Sequence, residues 1–446
     1  MAQQRATDEH APPRSIETRA SWLVAWTVLG ILATAYGAPL VVVVGLKPIA
    51  ADLGDARAVP SLASSVTFLG AGAGGILMGW VAGRLGVRRV ALFGAAMIAS
   101  GLALASLGTE WSLLLGYGLF AGFLGIGSLF APLLTYVTHW FDRRRGTALA
   151  LISSGQYVAG VIWPAILERA VAAFGWQRTM FGFGFFIAAV IAPLAAIVLR
   201  PPPLPPAGGL AAADEPRRGD RVLGMPPNLT LALMALAAFL CCVPMAMPAA
   251  HLVAFCTDLG ISATRGAAML SVLLLAAFVA RQFWGWVADR IGGLSTVFLG
   301  SSAQVVGMAL FLSTEDEATL FAVSAIYGLG FSGIIPSYVL AVRELFPAAE
   351  APWRIPILLF LGLGGMSFGA WLGGALYDHY GYYAPAFAAG IAANLLNLAG
   401  RRLPGVTARH RANATSGAGG MRRRGAPHSP VRSREGSSSP WAFRIG

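Results

Sequence analysis

Apolar residues run in long blocks along the chain, and short polar segments separate the blocks. Many blocks reach the roughly 20 residues that a helix needs to cross the ~30 Å hydrocarbon core of a bilayer. The pattern predicts twelve such segments, and a proline-rich, charged stretch divides the first six from the last six. The expected fold is therefore an all-α membrane protein with twelve transmembrane helices in two six-helix halves.

This pattern also sets the expected domain boundaries. An N-terminal leader and a hydrophilic linker flank the first helical bundle, and a basic tail without apolar periodicity follows the second. The leader, linker and tail are expected in the cytoplasm, and the tail is expected to be disordered. The predicted segments are the leader 1–21, the N-terminal bundle 22–199, the linker 200–228, the C-terminal bundle 229–400 and the tail 401–446.

Composition and charge support lipid, rather than nucleic acid, as the main partner. With 56% hydrophobic and 12% charged residues, a water-soluble fold would have nowhere to bury its apolar surface. The net charge of +12 comes mostly from the tail, which has ten Arg and one Glu. We expect that tail to be attracted to anionic lipid, and we expect no nucleic-acid partner.

The distribution of Lys and Arg predicts the orientation in the membrane. Without the tail, segments on the same side as the termini hold sixteen of these residues, and the opposite loops hold five. Because positive loops stay in the cytoplasm, both termini are expected there. We expect a monomeric multi-pass protein of a bacterial inner membrane.

One eight-residue motif occurs twice, once in each predicted half. The segment Gly79 to Gly86 reads GWVAGRLG, and Gly285 to Gly292 reads GWVADRIG, with six identities in eight. Each copy ends an even-numbered span and enters a short loop on the side of the termini. Such parallel repeats suit alternating access, in which one half rocks against the other around a central site.

The repeated motif resembles the signature of the major facilitator superfamily, a Gly-x-x-x-Asp-Arg-x-Gly run followed by basic residues. The first copy has Gly83 in place of the usual Asp, and the second lacks the basic residues that should follow. The resemblance implies a transporter fold from about Trp22 to Gly400 and a gating role for this loop. The matching residues are Gly79, Arg84, Gly86, Arg88, Gly285, Asp289, Arg290 and Gly292.

A physical role for these gating residues follows from their types. The glycines would let helices approach closely. Asp289 would accept hydrogen bonds at a neighbouring helix N-terminus and pair with an arginine of the run 143–145. The alternative is that Arg84, Arg88 and Arg89 serve only as positive-inside anchors.

Two further segments resemble the branch that contains monocarboxylate transporters and oxalate/formate exchangers. They run from Trp140 to Ala148 (WFDRRRGTA) and from Arg281 to Asp289 (RQFWGWVAD). In that branch an arginine eight residues before the loop aspartate lies in the substrate cavity. The resemblance implies that Arg281 binds a carboxylate.

Arg281 is also the one charged residue predicted well inside a span, and no acidic residue is predicted beside it. Burying an arginine there costs about 2.5–3.5 kcal/mol on insertion scales, and such residues usually face the bundle interior with a partner. A guanidinium can hold a carboxylate through two charge-assisted hydrogen bonds. The alternative is that Arg281 snorkels to the surface or bonds to helix carbonyls.

Neutral polar and aromatic residues near mid-span are candidates for orienting the substrate. Each taken alone is also a candidate for simple packing or interhelical hydrogen bonding. These candidates are Tyr36, Gln156, Tyr157, Tyr327, Ser332 and Tyr338.

The leading hypothesis is a secondary active or facilitative transporter of a small organic anion, a mono- or dicarboxylate, with a proton or counter-anion as a possible second partner. Ala277 stands where animal monocarboxylate transporters carry an Asp, which leaves the coupling open between proton symport, exchange and facilitated diffusion. A drug or metabolite efflux transporter of the same fold and a nontransporting membrane receptor or scaffold are the alternatives. We expect no enzyme activity, no cofactor and no metal site.

Overall fold

The computed structural model describes residues 17–141, 144–201, 221–347 and 350–399. In these ranges the chain forms helices, and a single β-bridge pairs Val222 with Met225. Most of the predicted leader and linker, and the whole tail, lie outside the described residues. The predicted domain boundaries therefore stay predictions.

Eleven helices are long and apolar enough to cross a membrane, and a twelfth helix is shorter. The twelfth spans 16 residues, or roughly 24 Å, which is less than the hydrocarbon thickness. The all-α fold is thus confirmed, with a short last helix. The helices are α1 Arg19–Val44, α2 Ala58–Leu85, α3 Val87–Ala105, α4 Glu110–Thr138, α5 Thr147–Phe174, α6 Trp176–Val198, α7 Pro227–Asp258, α8 Ala263–Ile291, α9 Gly293–Leu312, α10 Glu317–Leu345, α11 Trp353–Tyr380 and α12 Ala384–Ala399.

The repeated motif ends in the same backbone turn in both halves. Gly86 links α2 to α3 with φ +83°, and Gly292 links α8 to α9 with φ +81°. A side chain at such a φ is strained, so glycine lets each helix reverse direction within one residue. The sequence identity of the two copies therefore reflects one shared turn geometry.

Prolines lie inside several helices, and in α7 a side chain replaces one of the missing backbone bonds. In α7, Pro248 has no N–H to offer the carbonyl of Pro244. The buried hydroxyl of Tyr327 donates to that carbonyl at 2.7 Å. Because lipid cannot satisfy a freed carbonyl, this bond fixes α10 against α7.

The helices before the linker and those after it form two halves, which meet mainly along α2 with α11 and α5 with α8. On the first contact line, the Oγ of Ser65 donates to the carbonyl of Ser367 at 2.6 Å. On the second, Thr264 donates to the carboxylate of Glu168 at 3.0 Å. Residues of both halves come together along these lines.

Glycines allow close helix contact at some positions but not at the motif positions for which this was expected. A Cβ added at Gly369 of α11 would lie 2.0 Å from the carbonyl oxygen of Val243 in α7. At Gly79 and Gly285 an added Cβ would meet nothing within 4 Å. The expectation of close approach at these two glycines was therefore wrong for this arrangement, because no neighbouring helix packs against them.

We expect Gly369→Ala to lower the melting temperature in detergent, since the new Cβ must push α7 and α11 apart at a cost of about 1–3 kcal/mol. The matched control is Gly79→Ala, which meets open space and gains helix propensity. A thermal unfolding scan compares the two variants. Equal melting temperatures would contradict the close contact at Gly369.

Candidate functional site

Arg281 lies on the α5–α8 contact line, partly exposed, and it reaches the other half of the protein. Its Nη1 donates to the carbonyl oxygen of Ser153 at 3.0 Å and lies 3.4 Å from the Ser153 hydroxyl. The centre of the guanidinium lies 4.8 Å from the ring centroid of Tyr157. The arginine is thus held against α5 by one nitrogen and one aromatic face.

The rest of the Arg281 guanidinium has no protein partner among the described residues. Its Nε is buried without a hydrogen bond, and Nη2 makes none with a described residue. No ion pair joins Arg281 to a carboxylate of the described part of the chain. Nε and Nη2 form the edge of a guanidinium that binds a carboxylate side-on through two parallel bonds. One edge of the cation is therefore without a protein partner among the described residues, and its Nε is closed to solvent in this arrangement.

The alternative interpretation of Arg281 was that it bonds to helix carbonyls, and its hydrogen bond to the carbonyl of Ser153 is of that kind. It satisfies only one of the three nitrogens, and its acceptor belongs to the other half. An arginine that served only to tie two helices together would leave a costly buried N–H unpaired. The bond to Ser153 therefore positions the cation without neutralising it.

Among the predicted neutral residues, the structure brings Tyr157 together with Arg281. The ring of Phe331 in α10 continues this contact, with its centroid 6.4 Å from that of Tyr157 and 5.2 Å from that of Tyr327. Tyr157, Phe331 and Tyr327 thus form an aromatic line from the guanidinium into the C-terminal half.

The other predicted residues make no hydrogen bond or ring contact with Arg281. Tyr327 has its hydroxyl committed to Pro244, as described above. Ser332 is buried in the break of α10, and its hydroxyl has no hydrogen-bond partner among the described residues. Tyr36 packs edge-on against Phe130 in the N-terminal half. Gln156 is partly buried in α5, and Tyr338 is buried in α10.

The two copies of the motif place their arginines alike. Arg84 lies over the ring of Trp80 at 3.7 Å, and Arg290 lies over the ring of Trp286 at 3.5 Å. These pairs are four residues apart on one helix face, so each arginine stacks on its own helix rather than on the other half. Arg88 is exposed at the start of α3.

Asp289 does not accept the expected hydrogen bonds at a helix N-terminus. It is exposed and has no hydrogen bond or ion pair with a described residue. Glu344 of α10 takes that role, because the N–H of Gly293 at the start of α9 donates to both of its carboxylate oxygens, at 3.1 and 3.2 Å. Arg143 and the side chain of Arg145 lie outside the described residues, so their pairing with Asp289 stays a prediction.

A charged cluster that the sequence did not reveal joins the two halves at the membrane face opposite the termini. Arg57, just before α2, donates from both terminal nitrogens to the carboxylate of Asp258 at the end of α7, at 2.6 and 2.8 Å. Lys47 reaches the same carboxylate at 2.7 Å. The carboxylate of one half therefore holds two cations of the other.

The same face carries a second tie. The backbone N–H groups of Arg57 and Ala58 donate to the carboxylate of Asp378 in α11, each at 2.8 Å. Asp378 thus caps the N-terminus of α2 from the other half, where a negative charge is favourable. We name Lys47, Arg57, Asp258, Asp378 and Tyr383 the interhalf cluster.

Arg57 is the centre of the interhalf cluster. It is 8% exposed, its Nη1 also donates to the hydroxyl of Tyr383 at 3.0 Å, and its guanidinium lies over the ring of Tyr377 at 3.6 Å. Burial opposes the charged form, but hydrogen bonding to Asp258 and Tyr383 outweighs it and holds the pKa of Arg57 above its usual range. The cation therefore stays charged while the halves touch here.

Sequence reasoning placed Lys47 and Arg57 in loops and counted them only for orientation. The available signal was the presence of unlike charges on the same membrane face in both halves. Asp258 and Asp378 end their spans on the face where the two cations lie. Their pairing depends on helix packing, which span prediction does not provide.

The chain is similar in sequence to proteins that are named as transporters. The "MFS-type transporter 1" of Ophiocordyceps sp. (strain BCC 1869) is 29% identical over 280 residues, which cover 61% of this chain and 60% of that protein. The "Monocarboxylate transporter 11" of Homo sapiens is 27% identical over 326 residues, 68% of this chain and 66% of that protein.

Solved structures share the fold at low sequence identity. A crystal structure of the peptide transporter POT in complex with sulfate superposes with a TM-score of 0.64 and 15% identity, covering 84% of this chain and 94% of that one. The family model described as Major Facilitator Superfamily matches residues 25–252 and 234–441. The chain is an integral, multi-pass membrane transporter that belongs to the Major Facilitator Superfamily.

Proposed function

We propose that this transporter moves a small organic anion, a mono- or dicarboxylate, and that Arg281 binds its carboxylate. The observation that carries the proposal is the Nε–Nη2 edge of Arg281, which has no partner in the described part of the chain although Nε is buried. A carboxylate on this edge would satisfy the buried N–H and neutralise the guanidinium. The likeness to monocarboxylate transporter 11 supports the same substrate class.

Tyr157 and Gln156 are suited to contact the bound anion from the N-terminal half. They lie on α5 within a turn of Ser153, which already holds Nη1 of Arg281. An anion on Arg281 would therefore touch α8 through the cation and α5 through neutral groups. A substrate that touches both halves can bias their relative orientation.

Alternating access then requires contacts that close one face while the other is open. The interhalf cluster is suited to close the face opposite the termini, because its ion pairs run between halves. Among the described residues, no ion pair between halves lies at the face of the termini. We assign this arrangement to the state that is closed opposite the termini.

The positive-inside distribution supports termini in the cytoplasm, so the interhalf cluster would face the outside of a bacterial inner membrane. A proton or a counter-anion is proposed as the second transported partner. The proposed transport cycle uses the two halves of one chain, so we propose that the protein works as a monomer.

Metabolite efflux by the same fold is the competing function, and the substrate assay separates the two. An efflux carrier for hydrophobic compounds would move cationic dyes and ignore small carboxylates. A receptor or scaffold would move neither.

We expect Arg281→Gln to abolish uptake of radiolabelled small carboxylates into proteoliposomes. Arg281→Lys should weaken the apparent affinity by about tenfold or more, since the ammonium keeps the charge but loses the side-on pair of bonds. The measurement is initial uptake against substrate concentration.

Arg265→Gln is the matched control, because Arg265 lies on the same helix but is exposed and pairs with Glu317 within its own half. Its uptake should equal that of the unmodified protein. Normal carboxylate uptake by Arg281→Gln, or transport of cationic dyes alone, would reject the proposed substrate.

We expect Asp258→Asn to open the face opposite the termini, since Arg57 and Lys47 would lose their shared counter-charge. Breaking a fully buried pair costs about 3–5 kcal/mol, and because Asp258 is partly exposed we expect a smaller cost that still shifts the conformational equilibrium by about tenfold. The reporter is Ser65→Cys, a buried position on the α2–α11 contact line. Its rate of alkylation by a membrane-impermeant thiol reagent, applied from that face, should rise.

Glu317→Gln is the control for this variant, because Glu317 pairs with Arg265 in the same half. It should leave the labelling rate of Ser65→Cys unchanged. An unchanged rate in Asp258→Asn would show that the interhalf cluster does not hold this face closed.

A further inference from the structure

A fully buried histidine adjoins the interhalf cluster and has no part in the proposed substrate site. His251 lies in α7 and is 0% exposed. Its Nε2 is 2.8 Å from the carbonyl oxygen of Ala370 in α11, and its Nδ1 is 3.2 Å from the hydroxyl of Tyr383. Both ring nitrogens are therefore engaged.

The partners determine where the protons lie. A carbonyl oxygen only accepts, so the Nε2 facing Ala370 must carry a hydrogen. The hydroxyl oxygen of Tyr383 accepts from Nη1 of Arg57 at 3.0 Å, which leaves its own hydrogen free to donate to Nδ1. The chain of bonds is complete only when Nδ1 of His251 is an acceptor, and the imidazole is then neutral.

A second proton on His251 would break this chain. Nδ1 would become a donor, so the Tyr383 hydroxyl would face two donors, and its hydrogen would lose its acceptor. The imidazolium would also lie beside the buried cation of Arg57. Because His251 is fully buried, solvent relieves neither cost in this arrangement.

Among the described residues, the carboxylates near His251 are already engaged by other groups. Asp258, on the same helix, already holds Arg57 and Lys47. Asp378, on α11, accepts two backbone N–H groups at the start of α2. Tyr383, which bonds to His251, and Tyr377, which stacks on Arg57, are the phenols of this region.

We propose that His251 is a proton-binding site of this transporter, unprotonated while the interhalf cluster is formed and protonated when the two halves separate at that face. Separation removes Arg57 from Tyr383 and admits water, so the imidazole can accept a proton on Nδ1. Because a ligand that binds one state shifts the equilibrium toward it, acid favours the state open opposite the termini.

The size of the effect follows from linkage. An imidazole in water titrates near pH 6.5. If only the open state binds the proton, the ratio of closed to open falls by roughly tenfold between about pH 7.5 and about pH 5.5. The closed state therefore dominates at the higher pH and loses population as pH falls.

Distances between spin labels on the two halves measure this ratio without any substrate, so the result does not depend on the substrate proposal. Labels are placed on Ala51→Cys and Tyr382→Cys, which are exposed at the face of the interhalf cluster. The buried native cysteines are replaced by alanine, and the full chain is reconstituted in nanodiscs. The native cysteines are Cys241, Cys242 and Cys256.

The label distances should lengthen on acidification in the reference protein, with the roughly tenfold change in ratio. His251→Gln should abolish the change, since the amide can donate to Ala370 and accept from Tyr383 but cannot take up a proton in this range. His379→Gln is the matched control, because His379 is exposed on the same face, and it should keep the full change.

Tyr383→Phe provides a second test in case the glutamine variant does not fold. It removes the hydroxyl that joins Arg57 to His251, so the closed state should lose population at every pH, but His251 stays buried beside Arg57 and the response to pH should remain. A full pH response in His251→Gln, loss of the response in a Tyr383→Phe protein that still closes at the higher pH, or no response in the reference protein would overturn the proposal.

Discussion

A buried charge needs acceptors in place of water, and two arginines show the two ways in which this chain meets that constraint. Arg57 is surrounded by acceptors, since Asp258 and Tyr383 take its terminal N–H groups and Tyr377 covers its face. Arg281 has one carbonyl and one aromatic ring, and an edge without a partner among the described residues. A fully satisfied cation holds two helical halves together, whereas a partly satisfied one can take up a charged ligand.

The sequence predicts most of the fold because length and apolarity alone decide where a helix can cross lipid. The repeated motif was also informative, since Gly86 and Gly292 adopt the same turn. Arg281 was identified because it is the one charge predicted inside a span. Its contacts with Ser153 and Tyr157 could not be predicted, because they depend on how α5 packs against α8.

The interhalf cluster shows the limit of span prediction more clearly. Arg57 and Asp258 are 201 residues apart, and each reads as an ordinary charge near a helix end. Likewise, Asp289 was expected to accept hydrogen bonds at a neighbouring helix N-terminus, but it is exposed and has no hydrogen bond with a described residue. Charge type and membrane depth were predictable for these residues, but the choice of partner follows from helix rotation, which a periodic apolar pattern fixes only coarsely.

The two arginines also lie on the two contact lines along which the halves meet, and this arrangement bears on coupling. A ligand shifts a conformational equilibrium only if it interacts differently with the two states. Arg281 belongs to one half and its anchor Ser153 to the other, so an anion held on the free edge changes the charge at a contact that must rearrange when the halves rock. The interhalf cluster opposes that motion with ion pairs that carry no ligand. In the proposed cycle, an anion on the α5–α8 line and closure by the interhalf cluster act on the same relative motion of the halves, without a need for any side chain to reach from one site to the other.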